Sequence, residues 1–179
     1  MTDEQRPDER PARGDSPRRI PVTGEQRPDA RPDRGDSEGG IPLPDPPDLS
    51  HVQAMWAGDG ASAHLGMEAL SIEADHAVVR MTVGPDMVNG HAIAHGGYIF
   101  TLADSTFALV CNSRGRLTVA AGADIVFVAS ARLGDVLVAE GASRTAYGRS
   151  GLTDVRVTRE SDGAVIAEFR GRSRSVGAP

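Results

Sequence analysis

The stretch GGYIFTLADSTFALVCN, residues 96–112, carries the clearest structural pattern in this chain. Apolar side chains occur on every side of a helix built from it, so we expect the helix to be buried nearly all round. Its only charged residue is Asp104, with no Arg, Lys or His three or four positions away. A buried, unpaired carboxylate is costly unless it binds a proton or faces a pocket. Asp104 is therefore the leading catalytic candidate, and the alternative is a structural carboxylate bound to backbone amides or to a distant arginine such as Arg144.

A polar, glycine-rich loop leads directly into this helix. Residues 89–97 are NGHAIAHGG, and the pair Gly96 and Gly97 lets the backbone approach a ligand closely. Free amides at a helix N-terminus carry partial positive charge, so we expect them to bind a carbonyl oxygen as an oxyanion hole. His91 and His95 are four residues apart, but no third ligand is evident nearby, so we predict no metal site.

The spacing within the helix predicts an assembly. Gly97 and Asp104 are seven residues apart, which is two turns and about 10 Å of rise, so one carbonyl group cannot touch both. A carboxylate that acts on a carbonyl bound at the helix N-terminus most simply comes from a second subunit. We therefore expect the active site to lie at the interface of a homodimer.

The segments around the long helix indicate strands joined mostly by tight turns. Short turns imply antiparallel neighbours, which favours an α+β domain with one helix on a mostly antiparallel sheet and argues against a βαβ nucleotide-binding fold. A short helix, ended by Gly58 and Gly60, precedes the strands. The predicted strands are residues 65–73, 76–83, 117–129, 136–147, 152–160 and 164–175.

The first 47 residues differ in composition from the rest of the chain. They are rich in Arg, Asp, Glu, Pro and Gly and nearly lack aliphatic side chains. Such a segment has no apolar area to offset the entropy of ordering, so we predict a disordered tail over residues 1–47 and a folded domain over residues 48–179. The tail repeats itself, with EQRPDERPARGDS at residues 4–16 and EQRPDARPDRGDS at residues 25–37.

Composition excludes several functional classes. The formal net charge of −6 gives no global positive field for nucleic acid. All 19 basic residues are Arg, so a lysine Schiff base, a pyridoxal lysine and a Walker-type phosphate lysine are all excluded. Cys111 is the single cysteine and cannot form an internal disulfide. With no run of 18 apolar residues and no secretory signal, we expect a cytoplasmic protein without a membrane association.

At these residues the sequence resembles the PaaI-type acyl-CoA thioesterases of the hotdog-fold superfamily. The family pattern N-G-H-x-x-x-H-G-G, followed by L-A-D on the central helix, is matched without a gap, and the similarity extends over residues 65–176. The resemblance implies a hotdog fold, in which an antiparallel sheet wraps a long helix. It also implies that two chains form one continuous sheet and often pair again into a homotetramer.

The resemblance also implies roles for individual residues. Asp104 would be the general base or the nucleophile, and Asn89 would position water or the thioester. The Gly96 amide would polarise the thioester carbonyl, His95 would support the site near the sulfur, and Thr106 would assist Asp104.

The substrates implied by the family are hydroxylated or plain phenylacetyl-CoA and related aryl or short acyl thioesters, hydrolysed to free acid and coenzyme A without a metal or redox cofactor. Because lysine is absent, only arginine can bind the coenzyme A phosphates. Two other functions stay open: a hotdog acyl-CoA hydratase or dehydratase, and a non-catalytic acyl-CoA sensor. The predicted substrate-binding residues are Gly97, Arg114, Arg116, Arg149 and Arg172.

Overall fold

The computed structural model describes residues 48–177. The predicted tail, residues 1–47, lies outside the described residues, so its disorder and the boundary at residue 48 stay predictions. No helix in the described part is long and apolar enough to cross a bilayer. The described helices and strands are α1 Ser50–Ala57, α2 Gly60–His64, β1 Glu68–Glu73, β2 His76–Thr82, α3 Gly96–Asn112, β3 Leu117–Phe127, β4 Val136–Tyr147, β5 Ser150–Arg159 and β6 Val165–Gly177.

The six strands form one antiparallel sheet in the order β1-β2-β4-β5-β6-β3. Strands β4, β5 and β6 follow one another through tight turns, as the turn-rich sequence between them predicts. Helix α3 packs across one face of this sheet and contacts β2, β3, β4, β5 and β6. The predicted α+β class is confirmed, and β1 and β3 are the two edges.

Helix α3 buries one broad face against the sheet, and is not covered all round in the single chain. Five residues, spaced three or four positions apart and therefore on one face of the helix, are half-buried or exposed and form an uncovered stripe. The prediction of burial on every side is therefore wrong for one chain taken alone. The uncovered stripe consists of Gly97, Thr101, Asp104, Ala108 and Cys111.

The close approach of α3 to the sheet depends on glycine at position 171. A Cβ atom at Gly171 would lie 2.6 Å from two ring carbons of Phe107, and the Phe107 side chain is fully buried. Real Cβ atoms do not come that close to another atom, so any side chain here would force the helix or the ring to move.

We expect Gly171→Ala to destabilise the fold by about 1–3 kcal/mol, the usual cost of overpacking a filled core. Gly177→Ala is the matched control on the same strand, because no atom of residues 48–177 lies within 4 Å of the added methyl group there. Urea unfolding measures both free energies. Equal stability of the two variants would contradict this account of the packing.

The start of the domain differs from the prediction in one element. The sequence predicts that Gly60 ends the first helix together with Gly58, but Gly60 instead begins α2. The cause is Asp59, whose carboxylate accepts hydrogen bonds from the Ala61 and Ser62 amides at 3.0 and 3.2 Å. An N-capping side chain of this kind starts a helix even where glycine follows.

Candidate active site

The loop before α3 is held by its own hydrogen bonds. The Asn89 side-chain oxygen accepts from the His91 amide at 2.9 Å, and the Asn89 amide donates to the Ile93 carbonyl oxygen at 2.9 Å. Ala92 sits at φ +56°, a left-handed conformation that tightens the turn. The Asn89 carboxamide nitrogen has no acceptor among residues 48–177, so it remains available to a bound molecule.

His95 caps the N-terminus of α3. Its Nδ1 accepts a hydrogen bond from the Gly97 amide at 3.0 Å, and its own amide donates to the Met87 carbonyl oxygen at 2.8 Å. In this arrangement Nδ1 is the acceptor nitrogen of the ring. The Gly97 amide therefore already has an acceptor in the His95 ring, and a contact of Gly97 with substrate stays a prediction.

The Gly96 amide is the donor left free at this helix end, since it has no acceptor within the described range. A Cβ atom at position 96 would lie 2.8 Å from the nearest ring carbon of Phe127, so glycine is what lets the ring lie against the backbone. Phe127 is the last residue of β3 and is 51% exposed. Sequence reasoning missed Phe127, because only the folded sheet brings it to the helix.

Asp104 lies in the third turn of α3, on the uncovered stripe, and is half-buried. Its carboxylate has no hydrogen-bond or ion-pair partner in the described part of the chain. Burial raises the pKa of Asp104 above the usual range of an aspartate, because desolvation disfavours the charged form. The alternative of a pair with Arg144 is wrong: Arg144 donates to Asp154 at 2.9 Å.

Thr106 does not join Asp104. Its hydroxyl donates to the Leu102 carbonyl oxygen at 2.8 Å, one turn back in the same helix, and the residue is fully buried. Two residues along a helix turn the side chain by more than half a circle, so Thr106 faces the sheet while Asp104 faces away. The predicted assisting role of Thr106 is corrected on this ground.

The hydroxyl of Ser105, the residue after Asp104, makes a hydrogen bond to a side chain outside α3. It lies 2.9 Å from the Ser62 hydroxyl, which donates to the Asp59 carboxylate at 2.6 Å. This chain of hydrogen bonds ties α2 to α3 beside Asp104.

Three of the four predicted arginines surround one cavity at the C-terminal end of α3. Arg114 pairs with Asp75, Arg149 donates to the Ser175 carbonyl oxygen at 2.8 and 3.0 Å, and Arg116 has no side-chain partner within residues 48–177. Arg172 is not part of this group.

Arg172 lies on the opposite face of the sheet. Side chains alternate along a strand, and Gly171 beside it faces α3, so Arg172 points away from the helix. It donates to the Asp124 carboxylate at 2.7 Å. The structure therefore separates Arg172 from the other three arginines, and its contact with substrate stays a prediction.

Cys111 also reaches this cavity, at the end of the uncovered stripe. Burial raises the pKa of its thiol to about 12, so it stays protonated at neutral pH and does not act as a nucleophile. No cluster of three or more His, Cys, Asp or Glu side chains in the described part of the chain is placed to hold a metal ion.

The free amide and the free carboxylate do not meet within one chain. Gly96 and Asp104 sit on the same helix, and eight residues of rise hold them about 12 Å apart. A helix N-terminus with a free amide suits a carbonyl oxygen, and a desolvated carboxylate suits a base or a nucleophile. One bound carbonyl group cannot contact both of them within a single chain.

Comparisons with known proteins identify the family of this chain. A family model described as the thioesterase superfamily matches residues 91–166, which contain His95, Gly96 and Asp104. The acyl-coenzyme A thioesterase PaaI of Escherichia coli (strain K12) is 37% identical over 127 residues, which cover 71% of this chain and 90% of that protein.

Solved structures of thioesterases have the same fold as this chain. The E. coli PaaI protein from the phenylacetic acid degradation operon is 36% identical, with a TM-score of 0.69 over 73% of this chain and 97% of that one. A hypothetical thioesterase of Streptococcus pneumoniae TIGR4, solved with coenzyme A, is 28% identical, with a TM-score of 0.60 over 63% and 90% of the two chains. The fold is the hotdog fold, and this chain belongs to the thioesterase superfamily, as a relative of the PaaI-type thioester hydrolases.

Proposed function

We propose that this protein hydrolyses acyl-CoA thioesters to the free acid and coenzyme A. The observation that carries the proposal is Asp104, a half-buried carboxylate without a partner among the described residues, on the same helix as the free Gly96 amide. Both relatives compared above are thioesterases by name, and one was solved with coenzyme A.

In this reaction the Gly96 amide donates to the thioester carbonyl oxygen and stabilises the negative charge that develops there. Asp104 takes a proton from water as the water oxygen attacks the carbonyl carbon, or attacks that carbon itself to give an anhydride that water then opens. The carbon–sulfur bond breaks, and the sulfur of coenzyme A leaves as a thiolate that picks up a proton. The Asn89 carboxamide nitrogen positions the water or the thioester, and His95 holds the helix end that carries the amide.

A homodimer completes the site in this proposal. Strand β3 is a sheet edge with the single neighbour β6, and an edge strand leaves unpaired backbone groups along its free side. Pairing of β3 with its copy would extend the sheet across both chains and cover apolar side chains. Those side chains are Leu117, Val119, Val126 and Phe127, which are 42%, 46%, 63% and 51% exposed. A homotetramer of two such dimers is the further assembly proposed.

The substrates proposed are phenylacetyl-CoA, its hydroxylated forms and related aryl or short acyl thioesters, and the reaction needs no metal or redox cofactor. Release of free thiol tests the proposal with a panel of phenylacetyl-, hydroxyphenylacetyl-, benzoyl- and short linear acyl-CoA. We expect fast release from the aryl members. Binding without thiol release would contradict the proposal, and so would hydration of crotonyl-CoA without thiol release.

The rate should depend on pH through Asp104. Only the ionised carboxylate acts as base or nucleophile, and burial raises its pKa, so kcat is expected to fall on the acid side at a pH above the ordinary pKa of an aspartate. A profile of kcat against pH from about 2.5 to 8, which begins well below the ordinary pKa of aspartate, measures this. An acid limb centred at or below the ordinary pKa of aspartate would show that the desolvated carboxylate is not the titrating group.

A further inference from the structure

The hydroxyl of Ser105 differs from the two threonine hydroxyls of α3 in the partner it takes. Thr101 and Thr106 each donate to the carbonyl oxygen four residues back in the same helix, at 2.8 Å, a common contact of such side chains within a helix. Ser105 instead lies 2.9 Å from the Ser62 hydroxyl of α2, 43 residues away in the chain. Its hydroxyl therefore joins two elements, whereas the two threonine hydroxyls bond within α3.

The direction of this hydrogen bond is fixed by Asp59. Burial opposes ionisation of the Asp59 carboxyl, but hydrogen bonds from Ser62 and from the Ala61 amide outweigh burial and hold its pKa below the usual range. An ionised carboxylate only accepts, so the single proton of the Ser62 hydroxyl goes to Asp59, at 2.6 Å. The Ser62 oxygen is therefore the acceptor in its bond to Ser105, and the Ser105 hydroxyl is the donor.

The acceptor that Ser62 offers to Ser105 is held in place on every side. Ser62 is 1% exposed, its amide donates to the Asp59 carboxylate at 3.2 Å, and its carbonyl oxygen accepts from the Met67 amide at 3.0 Å. A buried residue whose polar groups all have partners keeps one position, because a shift would leave one of those groups unpaired. Ser105 is therefore bonded to a fixed point that water does not reach.

Asp104, the residue before Ser105, has no such anchor of its own. Its carboxylate lies on the uncovered stripe of α3 and has no hydrogen-bond or ion-pair partner among residues 48–177. A group that attacks a carbonyl carbon, or takes a proton from water, must be held close to the productive geometry by the residues around it. The adjacent Ser105 supplies a side-chain tie from this turn of α3 to another element.

We propose that Ser105 is a positioning residue, whose hydrogen bond to Ser62 fixes the turn of α3 that carries Asp104. The proposal rests on the proposed thioesterase activity, because it takes Asp104 as the base or nucleophile of that reaction. Ser105 acts through Asp104 and touches no reacting atom. Asp59 acts one step further back, by drawing the Ser62 proton to itself so that the Ser62 oxygen accepts from Ser105.

Steady-state kinetics of Ser105→Ala, Ser62→Ala and the double variant test the proposal. The substrate is whichever acyl-CoA of the panel above the wild-type protein hydrolyses fastest. Each single variant is expected to lower kcat about tenfold at unchanged KM, because loss of the bond loosens the carboxylate, and a misplacement of about 1 Å costs about 100-fold. Both substitutions remove the same bond, so the double variant should also lose about tenfold.

Three kinetic results would overturn the proposal. They are a wild-type kcat in both single variants, a rise in KM in place of the fall in kcat, and a loss of about 100-fold in the double variant, which is the product of two independent effects.

Ser113→Ala is the matched control. Ser113 is also buried, and its hydroxyl also joins the end of α3 to another element, by accepting from the Asp75 amide at 2.8 Å. It lies nine residues beyond Asp104, about 13 Å along the helix. Ser113→Ala should lower the melting temperature, followed by circular dichroism, at least as much as Ser105→Ala and leave kcat unchanged. An equal fall in kcat would show that any loosening of α3 slows the reaction, and would overturn the proposal.

Hydrogen exchange separates this proposal from the proposed function. Mass spectrometry of peptides from α3 measures the exchange of backbone amides without any substrate. Amides of residues 104–109 are expected to exchange about fivefold faster in Ser105→Ala and Ser62→Ala than in the wild type or Ser113→Ala, the effect of one hydrogen bond. If the wild type releases no thiol but exchange changes in this way, the thioesterase proposal fails and the fixing of this turn by Ser105 is still supported. Unchanged exchange in both variants would overturn the proposal, whatever the activity.

Discussion

Replacing Asp104 with asparagine is expected to lower kcat by about 10²–10⁴-fold while substrate binding is retained. Asparagine keeps the shape of the side chain but cannot take a proton from water or form an anhydride. Thiol release from phenylacetyl-CoA measures kcat, and calorimetric titration with free coenzyme A measures binding. Asp86→Asn is the control, because Asp86 is exposed and lies outside the site.

The melting temperature of Asp104→Asn distinguishes a loss of catalysis from a loss of folding. Because the pKa of Asp104 is raised in the folded protein, its charged form costs folding energy at neutral pH. The Asp104→Asn substitution removes that cost, so the variant should melt at the same temperature as the wild type or higher. A variant that keeps wild-type kcat would eliminate Asp104 as base and nucleophile.

Mixing two inactive variants is expected to restore activity. Asp104→Asn removes the carboxylate, and Gly96→Val drives a side chain into the Phe127 ring and blocks the free amide. If each site takes its amide from one chain and its carboxylate from the other, a heterodimer of the two variants holds one intact site and one doubly altered site. Random pairing then recovers about a quarter of the wild-type rate.

The measurement refolds or co-expresses the two variants together and compares thiol release with each variant alone. A mixture of Asp104→Asn with Asp104→Ala is the matched control, because neither chain supplies a carboxylate and no site can be rebuilt. Absence of recovery in the first mixture, with heterodimers present by native mass spectrometry, would show that amide and carboxylate come from the same chain.

The main features of the fold were predictable because they depend on patterns that are local in sequence. A long apolar run indicates α3, and valine-rich segments broken by turns indicate the four strands after it. Asp104 could be recognised as a catalytic candidate because a single charged residue in an otherwise apolar helix is unusual, whatever the helix packs against. The Gly96 amide was identified because glycine and a helix start are adjacent in the chain.

Several residues that the sequence groups together point in different directions in the folded chain. Thr106 lies two residues from Asp104 but faces the sheet, since a helix turns 100° per residue. Arg172 follows Gly171 but lies on the other face of β6, since strand side chains alternate. Gly97 adjoins Gly96, yet its amide is taken by the His95 ring.

The α+β class, the central helix, the loop that precedes it and the lone carboxylate could all be inferred from the chain alone, because each follows from the order of residues within one segment. Which groups meet was visible only in the folded domain. The sheet lays Phe127 against Gly96 and gathers Arg114, Arg116 and Arg149 around one cavity. Such contacts join residues distant in the chain, and they depend on strand order and register, which no single segment encodes.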